Sequence, residues 1–148
     1  EKDLAILKLL QENARYTVKE IASRVNLSTT PVHERIKALE ESGVIKQYVT
    51  IIDAAKVNLS LTVICYVSLK EHGKNEGSAF IRSILSLPQV IECFSISGEF
   101  DFMLKIVCED MNAFYNFHVN VLSELQNVGH IQSTFVMGII KDTHQIIY

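Results

Sequence analysis

Thr17-Val18-Lys19-Glu20-Ile21-Ala22-Ser23-Arg24-Val25-Asn26-Leu27-Ser28-Thr29-Thr30-Pro31-Val32-His33-Glu34-Arg35-Ile36-Lys37-Ala38-Leu39-Glu40-Glu41-Ser42-Gly43 reads as two amphipathic helices with a tight turn between them. Thr17 and Glu20 have capping-box spacing: hydroxyl and carboxylate can each take an orphan backbone N–H from the other's residue. The helix they open turns Ile21, Ala22 and Val25 inward. Asn26-Leu27-Ser28 makes the turn, and Ser28 is placed to cap the next helix. Pro31 falls in that helix's first turn, where N–H groups have no intrahelical partner. The helix runs to about Ser42, and Gly43 suits the residue that follows a helix end.

Upstream, Leu4, Ile6, Leu7, Leu10 and Ala14 predict a first helix with Asp3 as its cap. Downstream, Val44, Ile45 and Tyr48 to Ile52 predict a β-ribbon. Three short helices and a ribbon make a winged helix-turn-helix over residues 1–46, with ribbon and linker over 47–60. On the third helix Val32, Ile36 and Leu39 form the buried stripe, which leaves Thr30, Glu34 and Lys37 on the far face, flanked by His33. Such a face can present hydrogen-bonding groups to base edges in a major groove. Arg35, at the stripe's edge, can reach a phosphate or pair with a neighbouring carboxylate. Lys19, Arg24 and Arg15 are further phosphate candidates.

From Leu61 onward strand and helix patterns alternate. Strands are expected near 61–69, 90–97, 101–108 and 130–138, and helices near 76–86 and 111–126, with a hairpin turn at Gly98-Glu99. Leu87-Pro88-Gln89-Val90 and Leu125-Gln126-Asn127-Val128 follow the two helices as a faint repeat. The order βαββαβ predicts a ferredoxin-like α+β sandwich over 61–148, of the dimeric α/β barrel type. Leu61, Val63, Cys65, Val67 and Leu69 point to one face of their strand, and Ile64 and Tyr66 to the other. Phe102, Leu104 and Ile106 likewise oppose Met103 and Val107. Two helices cover only one face, so the second face calls for a second copy of the chain, sheet against sheet.

Bulk properties narrow the class. Nearly half the residues, 48%, are hydrophobic, which supplies cores and removes any compositional case for disorder. The longest apolar runs fall far short of the roughly 18 to 20 residues that span a bilayer. The chain opens inside a helical pattern without a signal-peptide layout, so a few upstream residues are expected to precede it. Cys65, Cys93 and Cys108 show no CxxC spacing, which argues against disulfide and zinc and for buried reduced thiols in the cytosol. Net charge is −3; residues 1–50 hold 8 Lys/Arg against 7 Asp/Glu, and residues 51–148 hold 6 against 10. The asymmetry has the sign of a DNA-binding first half but is small.

The Thr17–Ile45 stretch resembles the DNA-binding domain of the Lrp/AsnC family, the leucine-responsive "feast/famine" transcription regulators. Gly98-Glu99-Phe100-Asp101-Phe102 resembles that family's glycine-aspartate turn, at the same place in the fold. The resemblance spans essentially the whole chain. It implies a regulator of transcription, not an enzyme, that binds double-stranded DNA. It also implies a homodimer that assembles further into an octamer or similar ring, and an amino acid or related small molecule bound between the C-terminal domains. No cofactor, metal or membrane partner follows from it. Ser28, Thr30, Pro31, His33, Glu34, Arg35 and Lys37 become recognition-helix candidates. Ser97, Gly98, Glu99, Phe100 and Asp101, with Ser133 and Thr134, become effector-site candidates. A turn around Gly98 can offer N–H groups to a carboxylate and Asp101 can accept from an ammonium, although Asp101 serves equally as a hairpin cap. Two positions depart from the family: Phe100 stands where Tyr is usual, and Asn58 lies where Gly tends to be.

Two other classes compete. Ferredoxin-like domains that dimerise also occur in small enzymes, but His33, His72, His118, His130 and His144 are scattered, with no nucleophile or metal-ligand spacing. A sensing and assembly protein could use its helix-turn-helix for protein contacts instead. Steep loss of duplex affinity with salt separates DNA binding from that alternative.

Overall fold

The computed structural model describes residues 1–148. The chain divides into two compact units, residues 1–51 with 141–148, and residues 52–140.

The first unit contains α1 (Lys2–Glu12), α2 (Val18–Val25) and α3 (Thr29–Glu41). Ile6, Ile21 and Val32 meet at its centre with Ala22, Val25 and Leu39, and all are buried. The capping box at Thr17 and Glu20 forms as spaced: Glu20 N–H donates to the Thr17 hydroxyl at 3.2 Å, and Thr17 N–H donates to the Glu20 carboxylate at 2.7 Å. Asn26 ends α2 in the left-handed conformation, φ 53°, which an amide side chain tolerates. Lys2 Nζ donates to the Val25 carbonyl at 2.7 Å, placing a cation at the negative end of α2. Gly43, φ +75°, turns the chain back so that Ile45 N–H reaches the Leu39 carbonyl at 2.9 Å.

Four expectations change here. Glu1, not Asp3, precedes α1, and Ala14 lies beyond it. Asp3 is drawn into an ion pair with Arg35 instead. Ser28 occupies the N-cap position of α3, but its hydroxyl makes no cap hydrogen bond. The ribbon expected over Val44–Ile52 does not form: these residues carry no strand pairing, and Val44, Val49, Ile51 and Ile52 are exposed. A strand needs a partner, and no other segment of this chain supplies one there.

The second unit opens with a single 3-10 turn, Ala54–Val57, capped by the Asp53 carboxylate. Then follow β1 (Leu61–Leu69), α4 (Lys74–Leu85), β2 (Val90–Ser95), β3 (Phe102–Cys108), α5 (Met111–Asn120) and β4 (Val128–Phe135). The sheet order is β2-β3-β1-β4 and every pairing is antiparallel, which is the ferredoxin-like arrangement. Burial alternates strictly along β1 and β3: Val63, Cys65, Val67, Leu104 and Ile106 vanish under α4 and α5. Phe80 packs on Phe102 with ring centroids 4.7 Å apart. The Leu87–Val90 and Leu125–Val128 repeat is a structural one, because Val90 N–H donates to Leu87 O and Val128 N–H to Leu125 O. α4 starts two residues early at Lys74, behind Gly73. α5 stops at Asn120, short of 126, because the chain tightens into the turn Leu122–Glu124 and buries Leu122 in the core. β4 ends at Phe135 and β2 at Ser95, each short of the expected bound. Cys65 and Cys108 are buried, whereas Cys93, on the sheet-edge strand β2, is exposed.

Two measurements follow. Leu104, with no exposed surface, should cost about 2–5 kcal/mol when changed to Ala, read by denaturant unfolding of the second unit. Hydrogen bonds from the Thr17 N–H and hydroxyl hold the Glu20 carboxyl below its ordinary value of 4.5. Its stabilising effect is therefore full above 4.5 and fades as pH falls through the lowered value. Thermal melts of Glu20→Gln should accordingly show a flatter acid limb than the unsubstituted chain.

Candidate nucleic-acid interface and effector turn

The exposed face of α3 is built by its packing. Val32 and Leu39 anchor the helix inward and Ile36 is half-buried, which leaves Thr30, His33, Glu34 and Lys37 in solvent. With no side-chain cap, the first-turn N–H groups of α3 and the hydroxyls of Ser28, Thr29 and Thr30 are open at the helix's positive end. In helix-turn-helix proteins that end of the second helix reaches base edges. Pro31 is half-buried and, with Asp3, Arg35 and Ser42, lines a shallow groove between α1 and α3. Arg35 Nη1 donates to Asp3 Oδ1 at 2.8 Å, so of its two possible partners the carboxylate is the one engaged. Lys37 Nζ lies 3.7 Å from Glu41 in an exposed i, i+4 pair. Such pairs contribute at most about 1 kcal/mol, so Lys37 can swing to a phosphate at little cost. Arg24 stacks over the Tyr16 ring at 4.4 Å, which holds its guanidinium on the outer side of α2. Lys19 is exposed on the same helix. Tyr48 OH donates to Glu40 Oε1 at 2.8 Å; partial burial and that carboxylate push the phenol up to about 12, so it remains a neutral donor.

In the second unit, Ile96 N–H donates to the Asp101 carbonyl at 2.9 Å and closes a turn around Ser97, Gly98, Glu99 and Phe100. Gly98 adopts φ +111°, a conformation L side chains rarely take. Asp101 is stitched to β1: its N–H donates to Val67 O at 2.9 Å, and its Oδ2 accepts the Leu69 N–H at 2.7 Å and lies 3.1 Å from His72 Nε2. The hairpin-cap role is thus present. Ser97, Gly98 and Glu99 are exposed. The Phe100 ring lies between Tyr66, at 5.6 Å, and His130, at 6.0 Å.

Ser133 and Thr134 are not brought to this turn. They pair with Cys65 and Ile64 on β1, whereas the turn borders Val67 and Leu69. The Ser133 hydroxyl sits 3.5 Å from the buried Cys65 sulfur, toward the core, and Thr134 lies on the opposite face. The β4 residue beside the turn is His130. Sequence reasoning missed His130 and His72 because both reach the turn by non-local register, the first across β1 and the second from the loop after it.

Residues 1–46 match the winged helix-turn-helix DNA-binding model, and residues 62–146 match the Lrp/AsnC ligand binding domain. The chain belongs to the Lrp/AsnC family. It is 34% identical over 144 residues to the leucine-responsive regulatory protein of Rhizobium meliloti, covering 97% of this chain and 92% of that one. A transcriptional regulator of Neisseria meningitidis, solved as a complex with L-Met, superposes with a TM-score of 0.95 at 37% identity, covering 99% of this chain and 95% of that chain. An AsnC family regulator of Agrobacterium tumefaciens gives 0.93 at 32%, with the same coverage. As an Lrp/AsnC protein the chain is a DNA-binding transcription regulator with an attached ligand-binding domain. Its departures fit locally. Phe100 contributes a stacked ring, for which a hydroxyl is not needed, and Asn58 adopts φ 63°, the left-handed conformation its amide tolerates.

Asp101→Ala leaves the Leu69 N–H without its acceptor. It should destabilise the second unit by about 1–3 kcal/mol in denaturant unfolding even when no ligand is present.

Proposed function

We propose that this protein is a cytoplasmic regulator, not an enzyme, that reads a specific duplex sequence with α3 and answers to an amino acid or similar small molecule. The observation that carries the reading is the open N-terminus of α3, with free hydroxyls at Ser28 and Thr30 and with Lys37 on the face opposite the core. Ser28, Thr30, His33, Glu34 and Lys37 face base edges and nearby phosphates. Lys19 and Arg24 take the flanking backbone. Pro31 and Arg35 fix the helix against α1, and Arg35 joins the interface only by leaving Asp3. Thr30→Ala and Lys37→Ala should each weaken specific binding by about 1–3 kcal/mol without altering the oligomer, read by titrating a selected duplex at several salt concentrations. Unchanged affinity, or no dependence on salt, would favour a protein-docking role.

The effector is placed at Ser97–Asp101, with Phe100, Tyr66 and His130 as an aromatic wall. The L-Met complex of the Neisseria meningitidis relative supports an amino acid as its class. Asp101→Asn keeps an acceptor for Leu69 while removing the charge. Calorimetry with L-methionine and with pooled amino acids should give heats that this substitution abolishes; undiminished heats would move the site elsewhere.

The working form is a homodimer that assembles further, up to an octamer or similar ring. Ile64, Tyr66, Phe94 and Met103 share the sheet face that α4 and α5 leave open, and Thr134 lies there too. Met103→Glu should reduce the solution mass measured by sedimentation toward that of one chain. Retention of the full assembly would rule out this face.

A further inference from the structure

Residues 141–148 return to the first unit and lie along α1. Gln11 holds them. Its Nε2 donates to the Ile146 carbonyl at 3.2 Å and its Oε1 accepts the Ile146 N–H at 2.8 Å. A primary amide used in both directions pairs with the N–H and C=O of one residue much as a residue of a neighbouring antiparallel strand would. Gln145 Nε2 donates to the Gln11 carbonyl at 3.3 Å, in the last turn of α1, where carbonyls lack intrahelical partners. Tyr148 OH donates to the Leu4 carbonyl at 3.0 Å. The residue before Leu4 is Asp3, whose carboxylate holds Arg35 on α3. Contacts therefore run from the tail through α1 to the recognition helix inside one unit.

The attachment is shallow. Ile146 and Ile147 stay exposed, and an open groove of about 470 Å³ remains between the tail and Leu4, Ala5 and Lys8. Hydrogen bonds, not buried apolar area, keep the tail in place, so it can be released at modest cost. Along the chain the tail continues β4, the last strand of the ligand-binding unit. The DNA-binding unit is thus joined to its neighbour at two points in the chain, after Ile51 and before Lys141.

We propose that Gln11 and the 141–148 tail form a releasable clasp that limits the freedom of the DNA-binding unit, with Gln11 as its positioning residue. This rests on the DNA-binding reading above. A tethered unit with fewer orientations meets the second half of a two-part site at higher effective concentration. Loss of the clasp should weaken binding to paired half-sites and spare a single one.

Gln11→Ala removes one side of the contact and Ile146→Pro the other. Both are placed in the full chain, singly and together, and tested against duplexes selected from a genomic library and the same duplexes trimmed to one half-site. Each single variant should lose about three- to tenfold on the full duplex, the double no more than either single, and all should match the unsubstituted chain on the half-site. Equal losses on both duplexes would mean that the tail merely stabilises α1. Additive losses, or none, would also overturn the clasp. Amide exchange at Ile146, slow in the unsubstituted chain and fast in Gln11→Ala, reports the contact without DNA; equal rates in the two would overturn it independently. Failure of the unsubstituted chain to select any duplex would instead strike at the DNA reading.

Discussion

β1 pairs on both edges and carries apolar side chains on both faces, and the rest of the second unit is arranged around it. Its edges are taken by β3 and β4, so every backbone group in its middle is satisfied within the chain. One face is satisfied as well, by Phe80, Ile84, Phe114 and Phe117 from α4 and α5. The other face is not: Ile64 and Tyr66, with Met103 and Phe94 beside them, are covered by neither helix. A single chain has no third layer to lay over them. The Tyr48–Ile52 segment makes no strand pairing either, but it is exposed and its backbone groups meet water. The second copy proposed above would supply the third layer.

That deficit bears on how the first unit binds DNA. Lys/Arg exceed Asp/Glu by only one in residues 1–50. Some of the cations are also engaged: Arg35 with Asp3, Arg24 over Tyr16, Lys2 on the Val25 carbonyl. Few phosphates can be neutralised by one such unit, and the counterion-release term is correspondingly small. The proposed assembly would offset this by engaging several units at once. In the proposed assembly the ligand-binding domain would enter DNA recognition without touching DNA, because its open sheet face would set how many recognition helices are presented together.

Local chemistry was legible in the sequence, and non-local pairing was not. The Thr17–Glu20 capping box, the left-handed Gly43 and the alternation in β1 and β3 each depend on residues a few positions apart, and each is found where the pattern puts it. The ribbon failed because a strand is a property of two segments. Ser133 and Thr134 were grouped with the Gly98 turn on resemblance alone. The β1–β4 register sets them opposite Cys65 and Ile64, away from the turn. Asp3 illustrates the same limit at one residue: its position before an apolar run suggests a cap, but a guanidinium 32 residues on competes for it and wins. Arg35 and Asp101 were site residues whose alternatives could be named in advance: a cation at the edge of a buried stripe has a carboxylate or a phosphate to meet, and a carboxylate at a hairpin has the turn's N–H groups or a ligand.

The Gly98–Asp101 turn connects these threads. Its Asp101 holds the Val67 carbonyl and the Leu69 N–H, so the end of β1 is fixed by the same residue that the effector reading places against a ligand. A ligand acts on a conformational equilibrium only through its different affinity for the two states. A ligand ammonium competing for the Asp101 carboxylate would draw on the Leu69 N–H hydrogen bond that sets the last residue of β1. Tyr66 and Phe100 lie at that end of the strand, and Tyr66 belongs to the sheet face that neither helix covers. A change at the turn would therefore reach the proposed assembly surface through one strand and one aromatic contact, with no longer relay required.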